Sequence, residues 1–349
     1  MAMRSRVLLA ALLAAALGLV SMSLATAFAP APGASETGFS QDAYARPGRL
    51  VRLQDGRRLN FRCAGAGSPT ILLEGGFAAT SMAWSEVQGK LARTHRACSY
   101  DRAGAGFSDP GPSPRDGAAI AEDLDDGLRA AHIRGPFVVV GHSAGGLYAR
   151  LFADRRPRDV VGMVLVDPSV EHQDRRFAVV FGPGAADLSK IRSRAWNCLV
   201  ASESAAAPLA DPGFAACLPK HGRSDSLQGA LQAQALRPST WRTQVSELDN
   251  LWTTTSDELD RGRQSYGAMP LIVLTAQDEY VDSPQAYQAE LMAVWRGLHR
   301  EIAARSSRGD ERLVPKSGHL VMLDRPDAVV AAVSEVIDEA KPPATAPAP

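Results

Sequence analysis

The sequence predicts an α/β fold: a mostly parallel sheet covered by helices on both faces and interrupted by one helical insert. Three observations carry this prediction. Short apolar, β-branched runs alternate with segments of helical spacing, the pattern that builds parallel sheets. The first two runs flank Asp55-Gly56, a hairpin signal, so the sheet opens antiparallel. The stretch from Pro168 to Gly267 holds no convincing strand and is too long for a structureless loop in a compact domain.

The elements follow in order. Arg49–Leu53 and Leu59–Cys63 form the hairpin, and Thr70–Leu73 and Ala97–Tyr100 come next. Phe137–Val140, Met163–Val166 and Leu271–Leu274 are apolar enough to be buried on both faces, while Arg312–Val314 is a weaker strand. Ile120, Leu124 and Leu128 keep helical spacing, as do Val329, Val333 and Val336 in the last helix. The insert, about 169–266, has helical apolar patterns (Leu227, Leu231, Ala235; Val245, Leu248, Trp252) and three of the five tryptophans, Trp196, Trp241 and Trp252. It leaves a strand at its carboxyl end, where open α/β sheets bind ligands, and therefore reads as a lid.

Composition bounds the function. Lys+Arg and Asp+Glu both total 38, leaving net charge near zero and no basic stripe for nucleic acid. Residues 1–29 read as a secretory signal peptide, with a basic start, the apolar run Val7–Val20 and small-residue sites ending at Ala27 and Ala29. Cleavage implies a periplasmic or secreted protein; an uncleaved segment would instead anchor the chain in a membrane. The folded domain is expected over 46–340, and 341–349 as a disordered tail. Four cysteines, Cys63, Cys98, Cys198 and Cys217, suit an oxidising compartment.

The chemistry centres on Gly141-His142-Ser143-Ala144-Gly145, placed between a buried strand and a helical segment. A turn that tight strains the serine backbone and leaves no room for a side chain at either flanking glycine. It lifts the Ser143 hydroxyl clear of the sheet beside a helix N-terminus. A serine nucleophile needs a base, a group that fixes the base's tautomer, and N–H donors for the oxyanion. His319, on the loop Ser317-Gly318-His319 after the last strand, is the candidate base. His142 should point away from the hydroxyl, and His95, His132, His221 and His299 read as solvated. His172 opens the insert and reads as structural. Asp278, Asp167 and Asp282 all satisfy the order Ser, Asp, His; Asp278 is preferred because a lid inserted after Asp167 would use that residue structurally. The bend Gly75-Gly76-Phe77 offers the N–H of Gly76 (or Phe77), and Ala144 supplies a second donor.

These residues, with Tyr100-Asp101-Arg102-Ala103-Gly104-Ala105-Gly106-Phe107-Ser108, make the chain resemble the α/β-hydrolase superfamily (fold-1 type) from about Leu50 to Val336, the lid excluded. The resemblance implies a strand order with the second and fourth strands adjacent, and hence the pairs Cys63–Cys98 and Cys198–Cys217. Where the family commonly has His-Gly at the oxyanion turn, this chain has Glu74, which is free to contact the Asp101-Arg102 turn. Relatives with aspartate at the nucleophile open epoxides or displace halide; Ser143 implies acyl transfer instead. The expectation is an exported serine esterase acting on a small-molecule acyl substrate, with no metal and no cofactor. An aminopeptidase or amidase, needing an acidic pocket for a substrate amine, is the alternative, followed by a non-catalytic binding protein.

Overall fold

The computed structural model describes residues 39–184, 186–203, 214–218, 224–281 and 283–341. The expected signal peptide, most of the expected tail, Asp282 and His221 lie outside them. All eight expected strands form: β1 (Arg49–Arg52), β2 (Arg58–Ala64), β3 (Thr70–Glu74), β4 (Ala97–Tyr100), β5 (Phe137–His142), β6 (Val160–Val166), β7 (Leu271–Ala276) and β8 (Gly309–Val314). They make one sheet in the order β1-β2-β4-β3-β5-β6-β7-β8. β1 and β4 each pair antiparallel with β2, and every other pairing is parallel.

Around the sheet run α1 (Ser85–Leu91), α2 (Gly117–Ala130), α3 (Ala144–Arg155), α9 (Gln285–Ala303), α10 (Val321–Asp324) and α11 (Pro326–Ala340). Strand alternation sorts the core into two layers. Val139, Leu165 and Val273 pack with Leu124 of α2, Leu147 of α3 and Trp295 of α9. Their neighbours Val138, Val140 and Val164 face the other way, onto Val87 of α1 and Val333 of α11. β5 is buried at every position, on both sides of the sheet, which puts it and its C-terminal end at the centre of the molecule. The Asp116 side chain caps α2 by accepting from the Ala119 N–H at 2.9 Å, satisfying a donor the helix cannot.

Between β6 and β7 come α4 (Gln173–Phe181), α5 (Ser189–Glu203), α6 (Asp225–Ala235), α7 (Pro238–Leu251) and α8 (Thr254–Arg261), with no strand among the described residues. The insert has a small core of its own: Leu199, Phe214, Trp241, Val245 and Leu248 gather around the Cys198–Cys217 disulfide. Cys63 and Cys98 stand directly opposite each other on β2 and β4 and form the second disulfide. Both pairings match expectation. Among the described residues no helix is long and apolar enough to cross a membrane.

Candidate active site

β5 ends at His142 and α3 starts at Ala144, leaving Ser143 alone in the turn with φ 53° and ψ −128°. Serine in this left-handed region is strained and persists only where its surroundings impose it. Here the Ser143 N–H donates to the Val166 carbonyl at 3.1 Å, and its own carbonyl accepts from Gly146 at 2.8 Å and Ser169 at 3.0 Å. A Cβ on Gly141 would come within 2.5 Å of the Gly145 carbonyl oxygen. One on Gly145 would meet the Gly75 and Glu74 carbonyl oxygens at 2.5 and 2.6 Å. Both flanking glycines are therefore steric requirements.

His319 lies on the loop between β8 and α10, and its Nδ1 sits 2.7 Å from Asp167 Oδ2. This corrects the expectation for Asp278. The Asp278 N–H donates to the Ser317 carbonyl at 2.8 Å, and no hydrogen bond joins its carboxyl to His319. Asp167, the residue after β6, is completely buried, and its other oxygen accepts from the Ala276 N–H and Trp295 Nε1, both at 2.9 Å. The physical reason is strand length. β7 continues to Ala276, which carries Asp278 past the sheet rim, while Asp167 leaves β6 at the rim with φ 43°. Burial works to raise the Asp167 carboxyl, but the His319 hydrogen bond and neighbouring imidazoles hold it below the usual carboxylate range. Burial likewise works to lower His319, and Asp167 and Glu279 overcome it, leaving the imidazole above its ordinary value.

Glu279 is the residue that sequence reasoning missed. Its Oε2 lies 3.5 Å from His319 Nδ1, and burial together with the Asp167 charge raises its carboxyl to about 7. It stands next to Asp278 and follows the same strand, so it carried the same signal as the residue preferred over it. Asp167, Glu279 and His319 hold donor atoms within 4.8 Å of one another, as do His172, Asp257 and Asp260. In the first group, the Asp167 and His319 atoms that would hold a cation already bond each other.

The turn after β3 lies against Ser143. A Cβ on Gly76 would come 3.1 Å from Ser143 Cβ and 2.8 Å from His142 Nδ1. Among the described residues, the Gly76, Phe77 and Ala144 N–H groups donate to no backbone carbonyl of a turn, loop or cap. His142 turns toward His319: its Nε2 is 2.9 Å from the His319 carbonyl, and the two rings are 4.7 Å apart. Burial and the His319 charge push His142 down to about 3, so it is neutral and its Nε2–H donates. Glu74 bonds Arg102 at 2.8 Å and Tyr100 at 2.6 Å, the contact anticipated for it. His299 is a second correction. It is fully buried on α9, with Nδ1 2.8 Å from Thr275 Oγ1 and Nε2 2.9 Å from the Pro168 carbonyl. Its place in the Trp295, Leu298, Ile302 stripe was the readable sign. His172 is structural as expected, 2.8 Å from Asp260.

Ser143, His319 and Gly76 line one cavity of about 870 Å³, a size suited to a small organic ligand. Trp241, Leu248 and Trp252 of the insert form part of its wall. Arg102 and Glu247 also reach it, but as a buried ion pair at 3.1 Å.

The chain is similar to proteins of the same architecture. A putative lipase from Acinetobacter baumannii superposes with TM-score 0.60 at 17% identity, covering 90% of this chain and 99% of that one. A thermophilic esterase from Thermogutta terrifontis gives 0.53 at 19% identity, covering 84% and 98%, and the epoxide hydrolase CorEH gives 0.60 at 17%, covering 84% and 99%. Likeness at this identity shows the fold. In sequence, an AB hydrolase superfamily protein of Gibberella zeae is 37% identical over 112 residues, 30% of this chain and 35% of that protein. The uncharacterized protein YqjL of Bacillus subtilis is 31% identical over 106 residues, 30% and 42%. The chain thus matches less than half the length of these relatives. The sequence model of the alpha/beta hydrolase family matches residues 65–332, which takes in the serine turn, Asp167 and His319, and the chain belongs to that family.

Proposed function

We propose that this protein is an exported serine hydrolase that cleaves an ester, or a related acyl compound, through an acyl-enzyme. Ser143 attacks the acyl carbon, and His319 takes its proton through Nε2, the nitrogen that Asp167 leaves free. The N–H groups of Ala144 and of Gly76 or Phe77 hold the oxyanion. His319 then protonates the leaving group, and water releases the acid by the same route. The observation that carries this reading is the Nδ1–Asp167 bond at 2.7 Å on an imidazole that shares a cavity with a strained serine. The lipase and esterase among the structural neighbours support it. Two disulfides fit the oxidising compartment that export implies.

The aminopeptidase alternative requires a carboxylate free to bind an ammonium. Of the carboxylates that line the cavity, Glu247 already has its oxygens at 3.1 and 3.2 Å from Arg102, whereas Glu279 and Asp187 carry no such arginine, so aminoacyl amides stay in the test. A fluorophosphonate probe tests the reading: labelling is expected, and Ser143→Ala should abolish it. A folded wild-type protein that takes no label is a binder and ends the proposal. Rates on model esters of increasing acyl length, set against aminoacyl amides, define the substrate class.

A further inference from the structure

Arg102, two residues beyond β4, is buried, and each of its five N–H groups has a partner. Nη1 donates to Glu74 Oε1 at 2.8 Å and to the Gly75 carbonyl at 2.7 Å. Nη2 donates to the Gly76 carbonyl at 2.7 Å and to Glu247 Oε2 at 3.2 Å. Nε donates to Glu247 Oε1 at 3.1 Å. Glu74 closes β3, where Tyr100 holds its second oxygen at 2.6 Å, and Glu247 belongs to α7 of the insert. The guanidinium has no hydrogen left for a substrate.

The two carbonyls it grips are those of the oxyanion turn. A trans peptide unit is planar and sets its N–H opposite its C=O. Holding the Gly75 carbonyl therefore aims the Gly76 N–H the other way, and holding the Gly76 carbonyl does the same for the Phe77 N–H. The Gly76 carbonyl also accepts from the Ala79 N–H at 3.1 Å. Among the described residues no backbone N–H outside helices and strands holds the Gly75 carbonyl, and glycine leaves that plane free to turn over. We propose that Arg102 is a positioning residue that aims the candidate donor N–H groups of the oxyanion turn, those of Gly76 and Phe77, and that Glu247 of the insert holds Arg102 to that task. This rests on the serine-hydrolase reading above. A second consequence is a direct link from the insert to the reacting centre, since α7 and the turn share one side chain.

A buried ion pair with only a structural role would alter stability and leave the transition state alone, which the test separates. The probes are a fluorophosphonate, p-nitrophenyl butyrate turnover and inhibition by a phenylboronic acid, which forms a tetrahedral adduct with an active serine. Arg102→Lys keeps the charge but cannot span two carboxylates and two carbonyls. It should lower kcat about 10²-fold, on the scale of one lost oxyanion donor, and weaken the boronic acid by a similar factor. KM should stay within about threefold, because ground-state binding is untouched. Glu247→Gln should act in the same direction, lowering kcat about tenfold. Native-like circular dichroism qualifies each variant, and if Arg102→Lys does not fold, Glu247→Gln decides. Boronic acid affinity equal to wild type, or a loss carried by KM alone, overturns the proposal while the serine-hydrolase reading stands. A wild-type protein that takes no fluorophosphonate overturns both.

Discussion

The Asp167 carboxylate receives His319 Nδ1 at 2.7 Å from the end of β6, not from β7. Holding the proton on Nδ1 leaves Nε2 as the lone-pair nitrogen, the tautomer a general base requires. Asp167→Asn keeps the shape but favours the wrong tautomer, and kcat should fall by about 10³–10⁴. Asp278→Asn neutralises a carboxyl with no bond to His319 and should change kcat less than about threefold. Steady-state kinetics on one ester decides, and the opposite ranking returns the role to Asp278.

The acid limb of the pH profile reports His319. The base works when neutral, and its proton affinity in the fold is raised, so kcat/KM should climb at a pH above the ordinary histidine value near 6.5. Glu279 contributes to that rise from 3.5 Å away. Its own carboxyl, raised to about 7, ionises across the same range and adds negative charge beside the imidazole. Glu279→Gln removes that charge, so the limb should move to lower pH and activity at pH 6 should increase relative to pH 8. Profiles from pH 5 to 9 provide the check. A limb that stays put, or moves upward, contradicts the assigned electrostatics.

The Cys63–Cys98 disulfide ties β2 to β4 across a sequence separation of 35. Closing a loop of that length restricts the unfolded chain, and Cys63→Ser with Cys98→Ser should cost about 2–4 kcal/mol. Urea unfolding measures this. The double variant should keep wild-type kcat, since neither cysteine lines the cavity. Finding both residues as free thiols by mass spectrometry of non-reduced peptides would remove the pairing.

Much of the fold was legible because its signals are local. β5 and β6 are apolar at nearly every position, Asp55-Gly56 marks the hairpin, and the serine pentapeptide needs its two glycines for steric reasons. The acid was not legible, because Asp167 and Asp278 each follow an apolar strand and differ only in three dimensions. Asp167 is chosen by the Ala276 N–H and Trp295 Nε1 that converge on its second oxygen, from residues far along the chain. The sequence could not show that the partners of Arg102 would include the carbonyls of Gly75 and Gly76.

His142 sits one residue before the serine and grips the main chain of residue 319. Ser143 and the His319 ring ride on segments far apart in sequence, and this one imidazole joins them like a tie rod. The spacing of the two segments is thus set by this local bond as well as by the sheet that both flank.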